Sequence, residues 1–321
     1  MLEILKTFKF PYTLYNFFKK HQLEHNIPLF NKYGLKKSYY SSVSSADFRS
    51  IESPKNIYDA QDSRSAMPSN PAFEALDNQL KNELLPWSEK GYAILKGFFS
   101  AEEIDAVNQE IQSLVDTKQV KFKYRTKIMF AIDKSKLLFD FGTNKKLLSV
   151  LDLLLGKKVE LFQSINFFVG SQQRSHSDSI HMTTFPYGNM IAVWVALEDI
   201  TAESGPLHYY PGSHTMPYIM NHDYNNVGTE TRLGKKTYSD YEDHLERIIK
   251  AKGLKKEVFV AKKGDVFIWH ANLIHGGEKV IDPKSTRKSM VFHFYTTDAF
   301  CFHEITQRPS LKHRITFADY S

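Results

Sequence analysis

The sequence predicts a mainly β protein with flanking helices, and three observations support this fold class. Beyond Gly156, short runs rich in valine, isoleucine and aromatic residues alternate with turns such as Gly205-Pro206 and Pro211-Gly212, which is typical of antiparallel strands. Helical periodicity is concentrated before Gly156. The sequence has no βαβ alternation, no repeat and no glycine-rich phosphate loop. Short strands behind a block of helices indicate a jelly roll or sandwich with N-terminal helical segments.

The composition fits a globular protein. Hydrophobic residues make up 42% of the 321 residues, which is ample for a packed core. The single cysteine, Cys301, excludes an intramolecular disulfide and a cysteine-only zinc site. No apolar run approaches the roughly 18 residues of a membrane-spanning helix, and the N-terminus has no secretory apolar region. We therefore expect a cytoplasmic protein.

Residues 1–48 form a predicted basic, aromatic N-terminal arm. Residues 1–40 contain seven lysines and two glutamates, so they contribute +5 of the net charge of +6. Because the remaining chain is nearly neutral, we expect no nucleic-acid partner. Lysines interleaved with aromatic residues suit two roles. The arm packs its aromatic rings on the domain, or residues 1–40 make peripheral contact with an anionic membrane surface.

The elements that follow can be predicted in chain order. Residues 49–84 are serine-rich and without period, which indicates an irregular connection. A single domain is expected over residues 85–321. Ser100 and Glu103 have capping-box spacing ahead of apolar residues at helical intervals, so a helix begins there. A second helix is expected over Lys145–Leu155, ending at Gly156.

Six strands and one insertion are predicted in the second half of the chain. The strands are expected near residues 159–169, 190–197, 207–210, 258–261, 266–269 and 289–295. The insertion at 215–257 is charged and tyrosine-rich, with a helix expected within "DYEDHLERIIKAKG". Ahead of these strands, "KFKYRTK" alternates basic residues along one side of an expected strand: Lys121, Lys123, Arg125 and Lys127. Such a row binds an anionic head group or belongs to a solvated edge strand.

The stretch "QQRSHSDSIHM" contains a candidate metal site. His176 and Asp178 are two residues apart, so on an extended chain both side chains project to the same face. A third ligand has to come from a distant segment, and "FIWHANLIHGGEKV" offers His270 and His275. Two imidazoles and one carboxylate leave three positions of an iron open, as in non-haem Fe(II) oxygenases. Arg287, twelve residues beyond His275, is suited to bind the far carboxylate of a dicarboxylate co-substrate.

These residues lie in segments that resemble a known family. "LFQSINFFVGSQQRSHSD", "NMIAVWVALEDITAESGPLHYYPGSH", "GDVFIWHANLIHGG" and "TRKSMVFHFY" resemble the phytanoyl-CoA dioxygenase family of Fe(II)/2-oxoglutarate-dependent oxygenases. The resemblance extends over roughly residues 85–295. It implies a double-stranded β-helix (jelly roll, cupin-like) and an Fe(II)- and 2-oxoglutarate-dependent dioxygenase that consumes O2.

The resemblance also implies roles for individual residues. The implied iron ligands are His176, Asp178 and His275. The implied contacts of 2-oxoglutarate are Arg287, Ser289, Asn166, Gln163 and Trp194. Arg287 would hold the C5 carboxylate and Ser289 would assist it, whereas Trp194 could equally be a buried core residue. We expect His181 to be a solvent-exposed or neighbouring group, His214 to lie at the cavity mouth, and none of His181, His214 and His270 to be a ligand.

The implied reaction is hydroxylation of a small or lipid-linked metabolite with release of succinate and CO2. Related halogenases have a small residue at the position of Asp178, so hydroxylation or desaturation is favoured over halogenation. Two alternatives remain: a cupin-like isomerase or lyase with another metal, and a non-catalytic binding protein on the same scaffold. The sequence predicts neither the substrate nor the oligomeric state.

Overall fold

The computed structural model of the protein describes residues 7–124 and 126–311. The α-helices of this part are α1 (Lys9–Phe18), α2 (Ile27–Lys32), α3 (Ile57–Ala60), α4 (Ser63–Ala66), α5 (Pro71–Glu74), α6 (Asn78–Leu84), α7 (Trp87–Lys90), α8 (Ala101–Asp116), α9 (Lys136–Gly142), α10 (Lys145–Leu155) and α11 (Tyr238–Lys252). The strands are β1 (Tyr92–Leu95), β2 (Phe122–Lys123), β3 (Lys127–Met129), β4 (Val159–Phe167), β5 (Thr183–Phe185), β6 (Met190–Ala196), β7 (Leu207–Tyr209), β8 (Glu257–Phe259), β9 (Val266–His270), β10 (His275–Gly277), β11 (Ser289–Thr296), β12 (Phe300–His303) and β13 (Arg308–Pro309).

The strands form a jelly roll. A seven-stranded sheet has the order β1-β9-β6-β11-β4-β3-β2, and a three-stranded sheet has the order β10-β7-β8. Every pairing within them is antiparallel. Inner side chains of both sheets share one apolar cluster that includes Trp194, Tyr209, Phe259 and Phe267. A third sheet has the order β13-β12-β5. The predicted double-stranded β-helix is confirmed.

Strand β6 is apolar at every position because both of its faces are buried. Ala192 and Trp194 belong to the cluster between the sheets, whereas Ile191 and Val193 belong to a second core formed with the helices. Successive side chains of a strand point to opposite faces, so a strand that is covered on both faces needs apolar residues at every position. The N-terminal helices therefore serve as the second layer of the large sheet.

Most predicted elements are confirmed. Helix α8 begins at the capping box of Ser100 and Glu103, and α10 ends at Gly156, which has φ of 65°. Helix α11 lies in the insertion as expected. All six predicted strands are present, within two residues of their expected bounds. Residues 121–127, however, form no single strand, because β2 and β3 are two sides of a hairpin; Arg125 lies outside the described residues.

The prediction of an irregular connection is wrong for residues 57–84. This segment contains α3, α4, α5 and α6, and Tyr58, Met67 and Leu80 are buried in the core beneath the helices. Each helix has only four to seven residues. Elements of one or two turns are too short to show an apolar period in the sequence. The proposed division at residues 48 and 84 stays a prediction.

The N-terminal arm buries aromatic side chains in one part and exposes them in another. Phe30, Val43 and Phe48 are buried against Phe185 and Phe300 of the third sheet. In contrast, α1 leaves several apolar side chains in solvent, including Phe10 (70% exposed) and Phe18 (71% exposed). Residues 1–6 lie outside the described part. No helix of the described residues is long and apolar enough to cross a membrane.

Candidate metal centre

Backbone pairing brings the distant candidate ligands together. The amide of His176 donates to the carbonyl of His275, and the amide of His275 donates to the carbonyl of His176, both at 2.9 Å. His176 follows β4 in the chain, and His275 begins β10. The other candidate, His270, ends β9, and its Nε2 lies 3.5 Å from Asp59 Oδ1. It lines a separate cavity of about 470 Å³ together with His214.

The side chains of His176, Asp178 and His275 converge on one point. One potential ligand atom from each lies within 4.8 Å of the others, and all three residues are buried. The Nε2 atoms of both histidines lie 3.8 Å from Asp178 Oδ1. Within the described residues this is the only such cluster of histidine, cysteine or acidic side chains. We call these three residues the triad.

Neighbouring carbonyls fix the orientation of both imidazoles. His176 Nδ1 lies 2.9 Å from the carbonyl oxygen of Arg174, and His275 Nδ1 lies 3.0 Å from that of Leu273. Because a carbonyl oxygen can only accept, each Nδ1 carries the proton and each Nε2 presents its lone pair to the triad. Burial lowers the pKa of His176 to about 3 and that of His275 to about 4, and His275 adds to the lowering at His176. Both imidazoles are therefore neutral near pH 7, the form that binds metals.

Trp269 binds one of the two oxygens of the Asp178 carboxylate. Its Nε1 donates to Asp178 Oδ2 at 2.8 Å, which leaves Oδ1 directed at the two histidines. Two neutral imidazole nitrogens and one carboxylate oxygen match the donor set of non-haem Fe(II) oxygenases, with open positions on one side of the metal. The residues present therefore fit an iron(II) ion.

The triad lies in a cavity of about 420 Å³, which we call the iron-site cavity, and Arg287 lies in its wall. Arg287 is 3% exposed, and its Nε has no hydrogen-bond partner within residues 7–124 and 126–311. Among the residues that the structure describes, no carboxylate forms an ion pair with it. Its guanidinium carbon lies 5.4 Å from the Phe167 ring and 5.9 Å from the Trp194 ring. Burial lowers the pKa of Arg287 to about 10, so it remains charged at neutral pH. A buried cation without a carboxylate partner is suited to bind an anion.

The other predicted co-substrate contacts separate into two groups. Gln163 and Trp194 line the iron-site cavity. Ser289 is not among its lining residues, but it follows Arg287 by two residues, and its buried hydroxyl has no hydrogen-bond partner among the described residues. Asn166 does not line the cavity. Its strand neighbours are Met290 and Ile128, which belong to the core beneath the helices. The prediction for Asn166 is wrong because its odd spacing from Gln163 places it on the opposite face of β4.

Two residues near the triad were not among the predicted site residues. His293 Nε2 lies 3.8 Å from Asp178 Oδ2, and Gln173 Nε2 lies 3.2 Å from His176 Nε2. The even spacing from Arg287 to His293 along β11 was the available signal, because it places both on one face.

The structure places His181 next to the triad, as expected, and corrects the expectation for His214. A short 3-10 turn, Asp178–Ile180, interrupts the extended chain after the triad aspartate, and His181 lines the iron-site cavity as a neighbour of the triad. His181 Nδ1 lies 3.4 Å from His303 Nε2. His214 lies behind the sheet in the separate cavity, not at the mouth of the iron-site cavity.

The insertion braces the segment that carries the triad. Arg174 forms ion pairs with three carboxylates of α11, at 3.3, 2.7 and 2.9 Å: Glu242, Asp243 and Glu246. The amide of Ser177 donates to the Tyr241 hydroxyl at 3.1 Å. The side-chain amide of Gln173 donates to the Tyr238 hydroxyl at 3.3 Å. These contacts fix residues 173–177, and with them the position of His176.

A jelly roll that holds a buried triad of two histidines and one carboxylate beside an unpaired arginine defines the class of Fe(II)- and 2-oxoglutarate-dependent oxygenases. The chain belongs to the phytanoyl-CoA dioxygenase (PhyH) family, because the model of that family matches residues 87–289, well over half of the chain. The predicted enzyme class and its cofactors, Fe(II) and 2-oxoglutarate, are confirmed.

Similar proteins agree with this assignment. A "phytanoyl-CoA dioxygenase domain-containing protein 1 homolog" from Dictyostelium discoideum is 24% identical over 276 residues, covering 70% of this chain and 94% of the relative. "Phytanoyl-CoA dioxygenase 1" from Oryza sativa subsp. japonica is 25% identical over 279 residues, covering 71% of this chain and 92% of the relative. The crystal structure of the non-haem α-ketoglutarate-dependent carbocyclase SnoK from nogalamycin biosynthesis has a TM-score of 0.58 and 16% identity, covering 71% of this chain and 87% of SnoK. This last likeness supports the fold alone.

Proposed function

We propose that the protein hydroxylates a small or lipid-linked metabolite, with consumption of 2-oxoglutarate and O2 and release of succinate and CO2. The triad would hold Fe(II), and Arg287 would hold the C5 carboxylate of 2-oxoglutarate. The observation that carries the proposal is that the triad and an unpaired, buried arginine lie in one cavity. A metal-only isomerase or lyase has no need of this cation.

The side chains of the site have distinct tasks. When bound, Fe(II) with 2-oxoglutarate and O2 supplies the oxidant, so that one oxygen atom enters a substrate C–H bond and the other enters succinate. The carbonyls of Arg174 and Leu273 keep both imidazoles in the binding tautomer. Arg287 and Ser289 orient the co-substrate, and their burial keeps water from competing for its carboxylate.

Asp178 supports hydroxylation over halogenation. Its Oδ1 faces the two histidines at 3.8 Å, so a carboxylate is present at the position that a halide would need. Trp269 holds this carboxylate in place through Oδ2. We infer that the iron keeps a third protein ligand and that the substrate receives a hydroxyl group, or loses hydrogen in a desaturation.

Succinate formation tests the proposal. Purified protein with Fe(II), 2-oxoglutarate and O2 is expected to release succinate slowly without substrate and faster with it, and Asp178→Gly is expected to abolish both. Asp59→Asn is the matched control, because Asp59 also faces a buried histidine, His270, but in the separate cavity. Iron binding without any 2-oxoglutarate turnover would instead indicate an isomerase, a lyase or a binding protein, and would refute the proposal.

We also propose that α1 makes peripheral contact with an anionic membrane surface. Its apolar side chains Phe10, Leu14, Phe17 and Phe18 follow helical spacing and are exposed. Lys19 and Lys20 follow directly, and lysines beside exposed aromatic residues are attracted to anionic lipids. A cytoplasmic location stays a prediction.

Vesicle co-sedimentation tests this contact. The full chain is expected to sediment with phosphatidylserine vesicles, and Phe10→Ser/Phe18→Ser is expected to reduce the bound fraction. Val227→Ser/Ile281→Ser is the matched control, because these side chains are equally exposed elsewhere on the surface, at 68% and 71%. Equal sedimentation of both double variants would contradict the proposal.

A further inference from the structure

Two neighbouring histidines line the iron-site cavity beside the triad, and we call them the histidine pair. His181 follows the 3-10 turn that begins at Asp178, and His303 ends β12 of the third sheet. Both line the iron-site cavity. His181 Nδ1 lies 3.4 Å from His303 Nε2, and the two ring centroids are 5.3 Å apart. Neither residue belongs to the triad or to the predicted contacts of 2-oxoglutarate, so the pair is available to the substrate.

A backbone amide decides which nitrogen of His303 carries the proton. The amide of Thr306 donates to His303 Nδ1 at 3.3 Å. Because an amide N–H cannot accept, this Nδ1 has no proton. Burial, together with the nearby Arg308, lowers the pKa of His303 to about 4, so the imidazole is neutral near pH 7. A neutral imidazole carries one proton, which therefore lies on Nε2, the atom that faces His181.

The same reasoning continues from His303 to His181. Because His303 Nε2 donates, His181 Nδ1 accepts. An imidazole that accepts at Nδ1 is neutral and has its proton on Nε2. The direction of these hydrogen bonds is fixed at its start by the amide of Thr306 and cannot be reversed. His181 therefore presents an N–H group, and not a lone pair, at its free nitrogen.

The free N–H group of His181 is accessible from the cavities. Among the described residues His181 Nε2 has no hydrogen-bond partner, and it is not one of the fully buried polar atoms. His181 lines both the iron-site cavity and an adjoining outer cavity of about 860 Å³. The Tyr238 ring of α11 packs against the imidazole, with the centroids 4.5 Å apart. A donor that is held in this way binds an acceptor at little cost in side-chain entropy.

The position of this donor determines where it acts on a substrate. The ring centroids of His181 and His176 are 6.3 Å apart, so a group that is bound to His181 lies beside the triad. A substrate oxygen at this place is separated by only a few bonds from the C–H bond that is oxidised. An ammonium group is disfavoured there, because the N–H of His181 offers it no lone pair.

We propose that the Nε2–H group of His181 donates a hydrogen bond to a carbonyl or ether oxygen of the substrate, close to the oxidised C–H bond. His181 is then a substrate-binding residue. His303 is a positioning residue, because it acts only through the tautomer of His181. The inference rests on the proposed function, since it concerns the substrate of the same iron site. It names an oxygenated metabolite as the substrate class.

Nitrogen-15 NMR of the histidine rings tests the tautomer directly. The full chain is labelled at its histidine nitrogens and loaded with saturating 2-oxoglutarate and Zn(II), which replaces Fe(II) because it is diamagnetic. His181 is expected to have a protonated Nε2 and an unprotonated Nδ1, and His181→Phe identifies its signals by their loss. A wild-type His181 with its proton on Nδ1 would overturn the proposal.

Two substitutions of His303 separate positioning from packing. His303→Gln keeps a side-chain N–H donor for His181 Nδ1, so it is expected to retain the tautomer of the wild type. His303→Leu removes the donor and keeps an apolar side chain, so His181 is expected to populate both tautomers. If His303→Leu retains the wild-type tautomer as fully as His303→Gln does, His303 has no positioning role and that part of the proposal is refuted.

Two probes with the same ring test the acceptor. Cyclohexanone presents a carbonyl oxygen, and cyclohexylamine presents an ammonium group at neutral pH. Ligand-observed NMR on the zinc-loaded protein gives Kd, and the His181 Nε2 signal locates the binding. Cyclohexanone is expected to shift this signal and to bind about three- to tenfold more tightly than cyclohexylamine, and His181→Phe is expected to lose that preference, as the loss of one hydrogen bond requires. Equal binding of the two probes to the wild type, or a His181 signal that cyclohexanone leaves unchanged, would contradict the proposal.

Succinate formation by the wild type separates this inference from the proposed function. If the iron-loaded wild type forms succinate but the two probes bind its zinc form equally, the inference fails and the proposed function stands. If the wild type forms no succinate, the proposed function fails. The tautomer of His181 and its response to cyclohexanone then still decide whether this side chain binds an oxygen acceptor, because neither measurement depends on turnover.

Discussion

Replacement of Arg287 by methionine is expected to change stability and co-substrate binding in opposite directions. Methionine is also long and unbranched, so Arg287→Met removes the charge while it keeps most of the contact with Phe167 and Trp194. The wild-type guanidinium is buried without a carboxylate partner among the described residues. We therefore expect the variant to be more stable than the wild type without 2-oxoglutarate and to gain less stability when 2-oxoglutarate is added.

The magnitudes follow from the burial of Arg287. Its pKa falls from the ordinary value of 12.5 to about 10. Each pKa unit corresponds to about 1.4 kcal/mol, so burial of the charged form costs up to about 3 kcal/mol in the free energy of folding. A lost charged hydrogen bond costs about 1.5–3 kcal/mol in binding, or roughly tenfold to a hundredfold in Kd. With 2-oxoglutarate at a hundred times the wild-type Kd, the wild type gains about 2.7 kcal/mol, and a variant that binds a hundredfold more weakly gains about 0.4 kcal/mol.

Two measurements on iron-loaded protein without O2 check this prediction. Thermal unfolding with and without 2-oxoglutarate gives the stability change, and calorimetric titration gives Kd. Arg64→Met is the matched control, because Arg64 is exposed and paired with Glu89 at 2.8 Å. An Arg287→Met variant with wild-type affinity for 2-oxoglutarate would show that Arg287 is not the counter-ion of the co-substrate. A variant that unfolds well below the wild type without 2-oxoglutarate would show that the cation is compensated in the folded protein.

Two further predictions concern groups outside this contact. Trp269→Phe removes the donor to Asp178 Oδ2, and we expect it to weaken Fe(II) binding about ten- to a hundredfold in a chelator competition. Trp87→Phe is the control, because Trp87 lies in the core beneath the helices, and it should leave Fe(II) binding unchanged. Equal losses in both variants would count against the role of Trp269. Burial raises the pKa of Glu304, which accepts from Ser45, so the folded state binds this proton more tightly than the unfolded state. The contribution of Glu304 to stability therefore falls as pH rises from the ordinary pKa of 4.5 through the raised pKa. Glu304→Gln should flatten that fall in denaturant unfolding, and parallel curves would contradict the reasoning.

The sequence predicted what depends on neighbouring residues. Helix α8 follows from its capping box and apolar spacing, and the C-terminal end of α10 follows from Gly156. The spacing of His176 and Asp178 predicted that both would be available to one metal, because the face of an extended chain is set within two residues. The short helices over residues 57–84 escaped notice because one or two turns contain too few residues for a period.

The tertiary structure decided which distant residues meet. His270 and His275 were equivalent candidates by residue type alone. The family resemblance implied His275, and the backbone pairing of His176 with His275 shows how the fold brings it to the triad. The same holds for Asn166, whose face of β4 is turned toward the helices. A sequence period sets the face of a side chain within its own element. It carries no information about the element that covers that face, because strand pairing joins residues that are far apart in the chain.

By itself, therefore, the sequence determined the jelly roll, the reaction class and the residue types of the site. Only the fold determined that Arg287 is buried with no carboxylate partner among the described residues and that Lys123 pairs with Lys127 across the β2–β3 hairpin. The charge of a side chain is fixed by its chemistry, but the energy of that charge depends on burial and on the nearest opposite charge. Both quantities arise only when distant segments pack together.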